Sequence, residues 1–225
     1  MAIILSLETT TEVCSVSIHG EEMLLSYVET HISKSHSEKI TLQIDQVLAL
    51  SNLSIKEIDA IAVSKGPGSY TGLRVGVSTA KGLCMALEKP LLAINSLEAM
   101  ALEVSFGLTE EMLLCPMLDA RRMEVYCAMY NKDLILKSET SALILEEISF
   151  SNKLNDHKVL FFGSGAEKFK RIIKSRNAFF IDGIYPKAKF IGLLAKKSFD
   201  NQLFEDLHLF EPFYLKDFVL TKKSN

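Results

Sequence analysis

The segment Lys65-Gly66-Pro67-Gly68-Ser69-Tyr70-Thr71-Gly72-Leu73-Arg74-Val75-Gly76 has the composition of a turn that brings backbone N–H groups up to an anion. It follows a short apolar run and precedes a long helical pattern. Such N–H groups would therefore sit at a helix N-terminus, where the aligned peptide dipoles favour negative charge. The same residues also suit an ordinary strand-to-helix turn in which Ser69 or Thr71 caps the helix. The segment lacks the lysine-containing ending of a P-loop, the glycine spacing of a dinucleotide site and the serine elbow of a hydrolase.

Four other places carry reactive side chains. Glu8-Thr9-Thr10 is an acid-led turn after the first apolar run, without a glycine for close backbone approach. His36 opens a helical pattern but has Ile40 one turn later, so two histidines do not share a face, and His31 lies too far upstream to replace the second. Asp119, Arg121, Glu124 and Tyr126 gather polar groups around a predicted strand, either as an Arg121–Glu124 ion pair or as contacts for a ligand or partner. Phe162-Gly163-Ser164-Gly165-Ala166 reads as a second strand-to-helix turn. No Ser/His/Asp or Cys/His arrangement has a supporting context for nucleophilic catalysis.

The elements that must position these residues follow from hydrophobic period. Residues 3–7, 13–18 and 23–28 read as three strands joined by links short enough for antiparallel hairpins. Ile40, Ile44, Val47 and Leu48 mark an amphipathic helix over 34–50. A buried strand at 58–63, a helix at 69–87 and a strand at 90–94 follow. Asn95 then caps a third helix, with Glu98 completing a capping-box pattern. After a break at 106–109 come strands at 113–118, 124–130 and 134–138, a short helix at 143–147, a strand at 159–162, and helices at 166–174 and 188–199. The chain is thus α/β, with βββαβα repeated. That order predicts two ribonuclease-H-like lobes of the kind found in actin, residues 1–108 and 109–225, each a mixed sheet with helices on its faces.

The helix at 69–87 has an unusual surface. Leu73, Val77, Ala80, Cys84 and Leu87 form one apolar stripe, and Val75, Gly82, Met85 and Ala86 form a second. Only Arg74 and Lys81 carry charge between Gly72 and Leu87, so the helix must be covered on more than one side. Gly76, Ser78, Ala80 and Gly82 lower helix propensity, which close approach of another backbone would explain. That backbone could belong to the other lobe or to a partner. The partner-facing set is expected to be Ile40, Leu73, Val75, Gly76, Ser78, Thr79, Gly82, Met85 and Ala86.

The 225 residues are 48% hydrophobic and 24% charged, with a net charge of −3 and a pI near 6.0. This is a globular composition without general attraction to a phosphate backbone, so a nucleic-acid role would need a local basic patch or a basic partner. Cys14, Cys84, Cys115 and Cys127 lie far apart in apolar segments and read as buried, reduced thiols. The N-terminal MAIILSLETT reads as a first strand and not a signal peptide, and no apolar run is long enough to span a bilayer. The expected compartment is the cytoplasm.

As a string, GPGSYTGLRVG closely resembles the hallmark of the TsaB/YeaZ family. Ile3-Ile4-Leu5-Ser6-Leu7-Glu8-Thr9-Thr10 is similar to the family's opening strand and turn, and His36-Ser37-Glu38 to the start of its first helix. Asp119-Ala120-Arg121-Arg122-Met123-Glu124-Val125-Tyr126 resembles the segment opening its second lobe, and Phe213-Tyr214-Leu215-Lys216 its terminal motif. The resemblance implies an actin-like scaffold and activator with no catalytic residue or metal of its own and no peptidase activity. It would act beside a TsaD-type catalytic subunit and a TsaE-type ATPase in threonylcarbamoyl transfer to the adenosine next to the anticodon of tRNA. ATP and metal would belong to the partners, tRNA would be met only through the complex, and the chain alone would form a homodimer. The family usually carries Asp where this chain has Glu8, and ATP-using actin-like proteins carry an aspartate-led, glycine-containing turn there. Glu8, Thr9, Ser69, Asp119 and Arg121 are the candidates for a cleft or anion site. The alternative is a small actin-like ATPase or kinase using the Glu8 and Gly163 turns.

Overall fold

The computed structural model describes residues 2–21, 23–31 and 36–216. Its first half comprises β1 (Ile3–Glu8), β2 (Cys14–Gly20), β3 (Met23–Thr30), α1 (His36–Ser51), β4 (Ala60–Gly66), α2 (Tyr70–Leu87), β5 (Leu91–Asn95) and α3 (Ser96–Ser105). The second comprises β6 (Leu113–Asp119), β7 (Glu124–Tyr130), β8 (Leu136–Ile144), α4 (Ser151–Asp156), β9 (Val159–Phe162), α5 (Ala166–Lys170), β10 (Ala178–Ile181) and α6 (Ala188–Asp200). The expected start of the first helix at Lys34 lies outside the described residues.

Two five-stranded sheets have the orders β3-β2-β1-β4-β5 and β10-β9-β6-β7-β8. Counted from the start of each half, the two orders are the same. The first three strands of each half pair antiparallel, and the last two join in parallel through helical crossovers. Two expectations are corrected. Residues 143–147 do not form a helix: Leu143 pairs with Val125 as β8 runs on to Ile144, and the short helix comes later, at α4. The four-residue strand β10 was not anticipated, because Ala178-Phe179-Phe180-Ile181 is too short to show a period.

The two helices between the sheets are exchanged in sequence. Leu97, Met100, Ala101 and Val104 of α3 pack on Leu114, Leu118, Leu160 and Phe162 of the second sheet. Ile191 and Ala195 of α6 pack on Ile4, Ala60, Ala62 and Leu92 of the first. Residues 1–108 and 109–225 therefore each lend a helix to the other's sheet. Removing one fully buried side chain here, as in Leu97→Ala, costs about 2–5 kcal/mol. Glu103 of α3 and Lys187 before α6 add an ion pair between the layers.

Beside these apolar residues, the face of the first sheet under α6 also carries polar side chains. Ser6 pairs with Ser17, Glu8 with Ser15 and Ile4 with His19, which places the three serines, the carboxyl and the imidazole on one side. Ser15 Oγ accepts the Ala188 N–H at 2.9 Å, capping α6 where Lys187 supplies no side-chain bond. His19 meets α6 at Gly192, where a Cβ would stand 2.2 Å from Nδ1. Leu5, Leu7, Val16 and Ile18 face the other way, into the core under α1 and α2.

Candidate functional site

The glycine-rich turn is built against the turn after β1. Gly66 ends β4 at φ +109°, a conformation open to glycine. Ser69 then caps α2 by accepting the Gly72 N–H at 3.4 Å, and its own N–H reaches Thr10 O at 2.7 Å. Gly68, Gly72 and Gly76 follow at four-residue spacing along the contact. A Cβ at each would meet Thr10 Cβ at 2.5 Å, Thr9 O at 2.0 Å and Thr9 Oγ1 at 2.3 Å. Thr9 Oγ1 completes the junction by donating to Gly72 O at 2.7 Å. The close approach expected at Gly76 is therefore made within the chain, by the Thr9 side chain of the β1–β2 turn and not by the backbone of a partner.

That junction seals Glu8. Its side chain is fully buried, and Oε1 accepts from Thr10 N at 2.5 Å and Thr10 Oγ1 at 2.6 Å, while Oε2 has no partner within hydrogen-bond distance. Burial pushes the carboxyl above its ordinary value, with the Thr10 hydrogen bonds opposing, so the neutral form is favoured. A metal–phosphate group of the kind that ATP-using actin-like proteins hold needs an ionised, accessible acid at this turn. Glu8 does not fit that role, and Glu8 and Thr9 leave the expected cleft set.

The cleft itself lies between the lobes and measures about 960 Å³. Ser69 and Thr71 at the start of α2 line one wall, and Asp119 at the end of β6 with Arg121 and Arg122 of the β6–β7 turn line the other. Asp119 Oδ1 accepts the Arg121 N–H at 2.6 Å and Lys168 Nζ at 2.8 Å. The carboxylate of Glu124 pairs with Lys216. The Arg121–Glu124 ion pair anticipated from sequence does not form; those residues meet only through their backbones, Glu124 N to Arg121 O at 3.1 Å. Lys216 lies on a C-terminal strap that is held to the first lobe by Phe213 N to Lys65 O at 2.8 Å and by Tyr214 against Tyr70, with ring centroids 5.1 Å apart. His36 spends its Nε2–H on Thr11 O at 2.6 Å, and Ile40 one turn later is core. Gly163 and Gly165 serve packing: a Cβ at either would run into Met100 and Met117, or into Val125 and Leu118.

The partner-facing set divides on burial. Ile40, Leu73 and Gly76 are interior, Ile40 and Leu73 being only 1% and 2% exposed, so all three leave the set. Val75 and Thr79 are half-buried, whereas Ser78, Gly82, Met85 and Ala86 lie toward the surface, Met85 being 63% exposed. Lys81 is turned aside to donate to Phe210 O at 2.9 Å. Sequence reasoning missed Leu42 and Leu50, which are 60% and 68% exposed on α1, the helix that contacts α2. Both fall outside the i, i+4, i+7 register of the buried residues, and that offset was the available signal.

Comparison with known proteins places this geometry. Residues 27–223 match the family described as "TsaD: tRNA N6-adenosine threonylcarbamoyltransferase". A relative from Haemophilus influenzae, tRNA threonylcarbamoyladenosine biosynthesis protein TsaB, is 29% identical over 98% of this chain and 96% of its own. The protein of the same name from Bacillus subtilis is 30% identical over 76% of this chain and 75% of its own. The chain belongs to the TsaB family. Among solved structures, YeaZ from Pseudomonas aeruginosa superposes with a TM-score of 0.82 at 24% identity, covering 96% of this chain and all of that one. The activator of 2-hydroxyisocaproyl-CoA dehydratase from Clostridium difficile, with bound ADPNP, reaches 0.52 at 10% identity over 89% and 97%. These likenesses establish the actin-like fold that the repeated strand order predicts. Among the described residues, no helix is long and apolar enough to cross a membrane.

Proposed function

We propose that this chain is a scaffold and activator subunit, without catalytic residues of its own, that pairs with a TsaD-type catalytic subunit in tRNA threonylcarbamoyladenosine biosynthesis. The observation that carries the pairing is the outward stripe Ser78, Gly82, Met85 and Ala86, with Leu42 and Leu50 on the neighbouring helix. The stripe carries no charge, a Cβ placed on its glycine would meet nothing within 4 Å, and its methionine is a pliable apolar anchor. Burial at about 25 cal/mol per Å² supports a stable pair once association costs are met. The same self-complementary face would hold a homodimer when the catalytic subunit is absent. The sealed Glu8 supports leaving ATP and metal to the partners, including a TsaE-type ATPase, and the net charge of −3 supports contact with tRNA through the complex.

Reconstitution tests this reading. Purified chain, a TsaD-type subunit, a TsaE-type ATPase, tRNA and the threonylcarbamoyl donor should yield modified tRNA only when the chain is present. Equal product with the chain left out would sink it.

A further inference from the structure

The cleft holds a charge arrangement that subunit pairing leaves unused. Of its three lining carboxylates, Asp119 is held by Lys168 and Glu124 by Lys216, and only Glu12, exposed, has no ion pair among the described residues. Arg121 and Arg122 are both exposed on the same lining, and neither guanidinium has a hydrogen bond or ion pair among the described residues. Two adjacent unpaired cations and one unpaired carboxylate therefore share the lining. The wall opposite carries the hydroxyls of Ser69 and Thr71 at the start of the 18-residue helix α2. Both arginines also sit in the left-handed region, at φ 69° and 45°, where a glycine would rest without strain. The turn holds guanidinium groups at positions whose backbone prefers none.

We propose that this cleft binds a phosphate-bearing ligand, with Arg121 and Arg122 as paired guanidinium donors and the Ser69 and Thr71 hydroxyls facing them. The planar fork of arginine matches phosphate oxygens two at a time. A cleft of about 960 Å³ has room for a nucleotide or a short stretch of RNA backbone. Glu8 is buried and bonded to Thr10, so of the acids on that turn only Glu12 lines the cleft, and the paired arginines are expected to hold the phosphate without magnesium.

The test is thermal melting of the purified full chain with tripolyphosphate, ATP or a short RNA hairpin, each in the presence of EDTA. The variants are Arg121→Gly/Arg122→Gly and, as a control on the other basic surface, Lys170→Gln/Arg171→Gln. At least one probe should raise the midpoint saturably, with affinity about tenfold weaker in the glycine variant and unchanged in the control. Without ligand, the glycine variant should melt no lower than the parent, because the left-handed turn suits glycine. Should it melt lower, Arg122→Gln alone carries the comparison with the same expected loss. Responses to tripolyphosphate and ATP assign the site to free phosphate compounds, and a response confined to the hairpin assigns it to RNA backbone. No saturable response to any probe, unchanged affinity in the arginine variants, or an equal loss in the control overturns the proposal. No partner subunit takes part, so failure here would leave the pairing reading standing.

Discussion

Thr9 Oγ1 stands where a side chain on Gly76 would have to begin: a Cβ there would lie 2.3 Å from the hydroxyl oxygen. Six residues further along the same helix, Gly82 has nothing within 4 Å. Two glycines that look alike in sequence thus have opposite reasons to be glycine. Gly76→Ala should destabilise the chain by about 3 kcal/mol through overpacking against the β1–β2 turn. Gly82→Ala should stabilise the isolated chain by up to about 1 kcal/mol through helix propensity. Denaturant unfolding of both variants checks the contrast, and equal effects would show that the Thr9 contact is not what confines Gly76.

Met85 and Ala86 should tolerate charge in the free chain and not in the pair. Met85→Glu and Ala86→Glu are expected to leave the melting temperature within a few degrees of the parent, since both side chains are exposed. Pairing with the catalytic subunit, measured by calorimetry, should weaken about thirtyfold, equivalent to about 2 kcal/mol at an interface centre. Val75 is a poorer probe because it packs partly on the core beneath α2.

His19 should make the fold sensitive to mild acid. Burial alone lowers its pKa from the ordinary 6.5 to about 4. The unfolded chain therefore binds a proton that the folded chain refuses over this window. Its contribution is fully present above 6.5 and lost as pH falls toward about 4, amounting to about 3 kcal/mol. In His19→Gln, unfolding free energy measured across that window should lose this slope. A slope equal to the parent's would refute the assignment.

Glu8 should act with the opposite sign. Its raised carboxyl pKa contributes stability that is fully present below the ordinary 4.5 and is lost as pH rises through the folded value. The neutral Glu8→Gln variant should gain on the parent as pH rises above the carboxylate range and match it below. Unfolding curves on both sides of that range check this, and a variant that loses ground as pH rises would show that the ionised carboxylate is the stabilising form.

Local pattern carried much of the fold. Alternation in residues 13–18, the four-residue spacing from Ile40 to Leu48 and the cap at Asn95 are properties of consecutive residues, and each is found in the structure, with Asn95 Oδ1 accepting from Leu97 N at 2.8 Å. The missing strand β10 and the misplaced helix at 143–147 fell where the pattern is too short, or where apolar residues at the end of β8 imitate a helical turn. The GPGSYTGLRVG string and the βββαβα repeat, which need no contacts to be seen, pointed to the family and its fold.

What tertiary structure decided is the meaning of individual residues. Whether Gly76 faces a partner or Thr9 depends on a junction spanning 63 residues, Thr9 Oγ1 to Gly72 O. That Glu124 is neutralised by Lys216 and not by Arg121 depends on a strap arriving from the other end of the chain. Which helix covers which sheet depends on the exchange of α3 and α6. Hydrophobic period records how deeply a side chain is buried, because burial repeats with the local backbone geometry. It carries no record of the neighbour, since that neighbour is supplied by a distant segment only after the chain has closed on itself.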